Sequence, residues 1–146
     1  MKFYPPLMVL TGLVAQLVIA FMAPVEPLLP PMAQYVGVAL MFICFAAIVV
    51  IARQFSRTET TILPDGEPSK LMEDGLFAVS RNPIYVAMAL LLLGSGLATG
   101  QLWALIIVPL FIVLVQQVWI VKEEANLEDA FGQIYRNYKM RVRRWL

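Results

Sequence analysis

Two polar segments carry the side chains with the most chemical capability. The first ends in Ser80-Arg81-Asn82-Pro83-Ile84-Tyr85. The second runs from Lys122 through Glu123 and Glu124 to Tyr135, Tyr138 and a basic C-terminus. Arginine, paired glutamates and tyrosines can bind charged groups and align them. The chain has no histidine, and Cys44 is its single cysteine. These absences remove His-ligated metal sites and nucleophile–histidine pairs, so no metal centre is expected. Chemistry here would rest on positioning and electrostatics around a bound cofactor.

Local rules place both segments on helix ends. Asn is a favoured N-cap and Pro a favoured first helical residue, so a helix should begin at Asn82/Pro83. Its open N–H groups and positive dipole end suit an anionic group, and Arg81 adds a full charge. A plain alternative is a capped helix start with one snorkelling arginine. In the second segment a helix should run on to Phe131 and stop at Gly132. Neighbouring helical positions lie about 100° apart, so Glu123 and Glu124 cannot both face one site squarely. On a regular helix Glu123 shares a stripe with Gln116, Ile120 and Leu127, and Glu124 goes with Gln117 and Phe131. A solvated acidic face is the bland alternative. After Gly132 the tail is amphipathic. Ile134, Tyr135, Tyr138, Val142 and Trp145 fall on one face, and Arg136, Lys139 and Arg143 on the other. Such a helix suits an anionic membrane surface or the protein's own loop.

The elements that position these segments are apolar. Of 146 residues, 60% are hydrophobic and 14% charged, and mean hydropathy is +0.76. Soluble domains average about 45–50% apolar and about 25% charged. This composition excludes a disordered chain, a secreted disulfide scaffold and a basic-patch nucleic-acid binder. Four uncharged runs stand out: Leu7–Ala23, Tyr35–Ala52, Ile84–Leu97 and Leu102–Val121. A membrane span needs about 20 helical residues, which the second and fourth runs meet. The first fits at the short end. The third is short, with Gly94, Gly96 and Gly100 around its end; it either extends to Ala98 or forms a shallow hairpin with the fourth. The first run lacks the features of a cleaved leader. Pro24, Glu26, Pro27, Pro30 and Pro31 follow it and read as a stiff connection.

Charge then orients the bundle. The 11 basic residues sit at the N-terminus, between runs two and three, or after run four. Four spans put all of them on one side, and the positive-inside rule makes that side cytoplasmic. The expected protein is all-α, with about four transmembrane helices, a long cytoplasmic loop and an amphipathic C-terminal helix. The loop, Gln54–Arg81, has a turn signal at Pro64-Asp65-Gly66. Leu71, Met72, Leu76, Phe77 and Val79 form an apolar patch that should pack on something.

The stretch Gly75-Leu76-Phe77-Ala78-Val79-Ser80-Arg81-Asn82-Pro83-Ile84-Tyr85 carries a recognisable pattern. It is followed by Glu123-Glu124-x-x-Leu127-x-x-x-Phe131-Gly132-x-x-Tyr135-x-x-Tyr138 and Val142-Arg143-Arg144-Trp145-Leu146. Together they resemble the integral-membrane methyltransferases of the isoprenylcysteine carboxyl methyltransferase and phospholipid methyltransferase group. The resemblance covers roughly the second half of the chain. It implies S-adenosylmethionine as methyl donor, S-adenosylhomocysteine as product, and a lipophilic acceptor arriving from the bilayer. It implies one domain, with residues 1–53 as an N-terminal helical hairpin and 54–146 as the cofactor-binding half. It further implies a cofactor site built from Gly75, Leu76, Arg81, Asn82, Pro83, Tyr85, Glu123, Glu124, Tyr135 and Tyr138, with Arg81 and Glu123 nearest the reaction. Many members carry His where this chain has Asn82; the Arg-Asn-Pro form resembles a bacterial variant, which implies the inner membrane. The acceptor, a carboxylate or an amine, and the oligomeric state stay open. Two rivals are a small four-helix transporter and a structural membrane subunit with Gly96-x-x-x-Gly100 as a contact motif. Transporters usually place an ionisable residue within a span, and the four runs have none.

Overall fold

A computed structural model describes residues 4–22, 27–57 and 70–146, the side chains of 55–57 apart. Lys2, Pro24, Glu26 and the Pro64-Asp65-Gly66 turn lie outside the described residues. Every regular element within them is helical. α1 spans Pro5–Met22, α2 Pro31–Arg57 and α3 Pro83–Ala98. A 3-10 turn, Leu102–Ile106, leads into α4 (Ile107–Val115). A π-helical turn, Gln116–Ile120, joins α4 to α5 (Val121–Phe131), and α6 is Gln133–Arg141. Helices suit these sequences because a bilayer interior offers no water to unpaired backbone groups.

Among the described residues, three stretches are long and apolar enough to cross a membrane: Pro5–Met22, Pro31–Gln54 and Leu102–Phe131. The fourth expected span falls short. α3 has 16 residues, about 24 Å at the helical rise, against a hydrocarbon core of about 30 Å. It extends to Ala98, as one of the two expectations had it, and a Thr99–Gly100 turn follows. α3 is also the most buried helix. Met88, Ala89, Leu91 and Leu92 belong to the main core with Val9, Cys44, Phe111, Val115 and Ile120. The outer helices α1 and α2 leave Leu17, Phe21, Phe42 and Phe45 exposed, which suits lipid contact.

Small residues let α2 lie close along α3. A Cβ on Gly37 would stand 2.5 Å from the Gly94 carbonyl oxygen, and one on Gly94 would stand 2.7 Å from that of Gly37. Membrane helices associate through such close backbone approach. The contact glycines are therefore Gly37 and Gly94; Gly96 instead faces Gln16 and Leu105. At the far end Leu29 donates its N–H to the Gly100 carbonyl at 3.0 Å, tying the α1–α2 connection to the turn after α3.

Gly132 ends α5 at φ +51° and ψ −121°, a conformation that disfavours a side chain, so the helix stops where expected. The tail is less helical than its projection predicts. α6 ends at Arg141, and Val142 is extended. Tyr135, Tyr138 and Val142 are buried with Leu71, Leu127 and Phe131, whereas Ile134 is 60% exposed. The tail packs on the chain's own loop and on α5, and Ile134 leaves the apolar face.

Candidate functional site

The start of α3 is built by the two ends of the second half of the chain. Asn82 and Pro83 occupy the first positions of the helix, but the Asn82 side chain does not cap it. Its Nδ2 donates to the Arg144 carbonyl at 3.1 Å, and its N–H donates to Ser80 Oγ at 3.1 Å. The Ser80 hydroxyl also donates to the Arg144 carbonyl, at 3.2 Å, and the Arg81 N–H to the Arg143 carbonyl, at 2.9 Å. The C-terminal residues lie over this end of α3, where open N–H groups facing an anion were expected. Asn82 and Pro83 are buried.

Behind it sits an ion cluster. Arg81 donates to Glu124 Oε1 from Nε at 3.2 Å and Nη2 at 2.8 Å. Arg144 donates to Oε1 from Nε at 3.1 Å and to Oε2 from Nη2 at 2.6 Å. Arg81 also reaches the carbonyls of Val142 at 2.8 Å and Lys139 at 3.3 Å through Nη1. Side-chain exposure is 10% for Arg81, 7% for Glu124 and 36% for Arg144. Two guanidiniums share one carboxylate, so the cluster carries one excess positive charge. Its hydrogen bond to Glu124 raises the Arg144 guanidinium above its ordinary pKa.

Glu123 makes a separate pair. The Tyr85 hydroxyl donates to Glu123 Oε1 at 2.6 Å. The two glutamates thus divide between α3's first turn and the arginines, as their angular separation demands.

Which glutamate points inward is decided by the π turn. From Ile107 to Phe131 the buried residues are Phe111, Val115, Ile120 and Glu124, with steps of four, five and four. The step of five coincides with Gln116–Ile120. An extra residue in one turn rotates everything after it, and without it Glu123 would stand near the position Glu124 takes. Gln117 is exposed, so the predicted grouping of Gln117 with Glu124 fails for this reason.

Tyr138 donates its hydroxyl to the Phe77 carbonyl at 2.7 Å. Burial pushes its pKa up to about 12, so it remains a donor. Tyr135 is 1% exposed, and its hydroxyl has no hydrogen-bond partner among the described residues. Burial, then the charge of Glu124, pushes its pKa up as well. The Lys139 ammonium lies 5.7 Å from its ring centroid. Gly75 and Leu76 open a 3-10 turn, Gly75–Ala78. Gly75 faces Gln54, while Leu76 lines an apolar groove of about 210 Å³ between α2 and α3. That groove also touches Cys44, Ile51, Val79, Pro83 and Leu146.

The structure therefore joins Arg81, Asn82, Pro83, Tyr85, Glu123 and Glu124 at one end of the bundle, with Tyr135 and Tyr138 packed on it from α6. Sequence reasoning assigned no separate role to Ser80 or Arg144 and put Trp145 only on the apolar face of the tail. Trp145 Nε1 donates to Gln116 Oε1 at 2.9 Å, at the start of the π turn. The only sequence signal for these contacts was the Arg143-Arg144-Trp145-Leu146 ending.

Among the described residues, these features define a helical protein with three helices fit for a membrane and a buried ionic site at one end. The sequence model of the phospholipid methyltransferase family matches residues 32–134, which include Ser80–Tyr85 and Glu123–Glu124. The chain belongs to that family, and membership implies methyl-transfer activity. An uncharacterized protein of Haemophilus influenzae is 43% identical over 63 residues, 43% of this chain and the whole of that one. No solved structure matches the chain.

Proposed function

We propose that this protein transfers a methyl group from S-adenosylmethionine to a lipophilic acceptor at the cytoplasmic edge of a bacterial inner membrane. The carrying observation is the meeting of Ser80–Tyr85 with Glu123–Glu124 through the Tyr85–Glu123 and Arg81–Glu124 hydrogen bonds. When bound, the donor supplies an electrophilic methyl: its C–S bond breaks as the acceptor's lone pair bonds to carbon, leaving S-adenosylhomocysteine. The residues fit such a ligand. The buried, unpartnered Tyr135 hydroxyl and the excess positive charge of the arginine cluster suit its carboxylate. Glu123, which accepts the Tyr85 hydroxyl with one oxygen, suits its amine.

In this reading Tyr85 fixes the Glu123 carboxylate, and Arg81 and Glu123 act nearest the reacting atoms. Gly75, Leu76, Asn82 and Pro83 shape the wall, and Tyr138 holds α6 in place. Alignment and electrostatics supply the rate enhancement, consistent with a chain lacking histidine. The acceptor's apolar part is accommodated by the groove between α2 and α3, whose lining includes Ser80, next to Arg81 in sequence. Either a carboxylate or an amine serves as nucleophile. The cytoplasmic assignment rests on the basic residues gathered with the site. Residues 54–146 hold the donor contacts, and 1–53 complete the bundle.

Titration calorimetry of the detergent-purified protein with S-adenosylhomocysteine tests this. Binding is expected, and Tyr85→Phe and Glu123→Gln should each weaken it about tenfold, the loss of one charge-assisted hydrogen bond. A folded wild-type protein that binds neither donor nor product overturns the reading.

A further inference from the structure

The family match ends at residue 134, yet much of what holds the site together comes from beyond it. Residues 142–146 run as an irregular strap from α6 across the start of α3. Their carbonyls accept from Ser80, Arg81 and Asn82. Arg144 grips Glu124, Trp145 bonds Gln116, and Leu146 reaches the groove between α2 and α3. The strap therefore covers the two segments assigned to the donor.

We propose that this strap is a gate over the donor site, with Arg144 as its latch. The proposal rests on the donor site assigned above. The three members of the ion cluster are unequal. Arg81 is 10% exposed and is also bonded to the Val142 and Lys139 carbonyls. Arg144 is 36% exposed, and its guanidinium is held at Glu124. Arg144 is the member that can leave. Arg81 stays bonded to Glu124 through Nε and Nη2 when Arg144 leaves, so the buried carboxylate keeps a cation. The strap then closes again over the bound donor, with Trp145 returning to Gln116.

A closed gate lowers the fraction of protein able to accept ligand, and breaking the latch removes that penalty. Association and dissociation rates of labelled S-adenosylhomocysteine, measured on the full chain in detergent, read this directly. Arg144→Ala is expected to raise the association rate about tenfold and the dissociation rate by more, with Arg144→Lys in between. Trp145→Phe, which removes the strap's second anchor and leaves the ion cluster whole, should raise the association rate several-fold; it decides the matter alone if Arg144→Ala does not fold. A purely structural strap would weaken binding through dissociation only. Unchanged or slower association in the folded variants overturns the gate and leaves the donor site standing. No binding by wild type overturns both.

Discussion

The two ends of this helical bundle bury polar groups in different ways. Towards the Thr99–Gly100 turn, fully buried Gln16 donates from Nε2 to the carbonyls of Leu92 at 2.8 Å and Ala104 at 3.1 Å. Its Oε1 has no partner among the described residues. A neutral amide thus stitches α1 to backbone carbonyls of α3 and of the 3-10 turn before α4. At the other end Arg81, Glu124 and Arg144 come from three separate segments, and each depends on the others being charged and present. The first arrangement tolerates replacement because a neutral amide has little to lose in an apolar setting. The second does not, because removing Glu124 leaves both arginines without their shared carboxylate. That sensitivity is expected where a charged ligand is handled.

The contrast can be broken experimentally. The largest effect is expected from Glu124→Gln, which leaves two arginines facing a neutral amide. It should lower stability by about 3–5 kcal/mol, the usual consequence of breaking a buried ion pair, and abolish donor binding. Thermal unfolding in detergent with a parallel binding assay checks this, and an unchanged midpoint would remove the cluster from its structural role. Tyr135→Phe should act with opposite signs on the two readouts. Losing an unpartnered buried hydroxyl should raise ligand-free stability by about 1 kcal/mol, while donor affinity falls. A fall in both would mean the hydroxyl is satisfied in the free protein. The smallest effect is expected for Gln16→Leu, within about 1 kcal/mol in stability, as interhelical hydrogen bonds in membranes are weak, and with donor binding unchanged. A large loss of binding there would erase the distinction between the two ends.

Much of the scaffold was legible because it is written in neighbouring residues. The apolar runs, Asn82-Pro83 at the start of α3 and Gly132 at the end of α5 each follow from local rules. The packing of the loop's apolar residues was readable in part, since Leu71 and Phe77 meet the α6 tyrosines while Leu76 and Val79 stay exposed. The length of α3 was harder. Its run was short for a span, and it persists at 16 residues because its neighbours surround it. The tail was misread in part because helical projection assumes that the helix continues, whereas it ends at Arg141. The strap's role lies in carbonyl groups, which no residue pattern announces.

The sequence by itself determined that this is a helical, membrane-suited chain whose charged groups gather in two segments, with no histidine for proton transfer. Such properties follow from composition and spacing over a few residues. Only the tertiary structure decided that Arg81 meets Glu124 across 43 positions and that Arg144 meets it across 20. It also decided, through one π turn, that Glu124 points inward and Glu123 meets Tyr85. The reason is physical. A buried carboxylate takes whichever cations the crossing helices and the returning tail bring within reach, and that depends on the path of the whole chain.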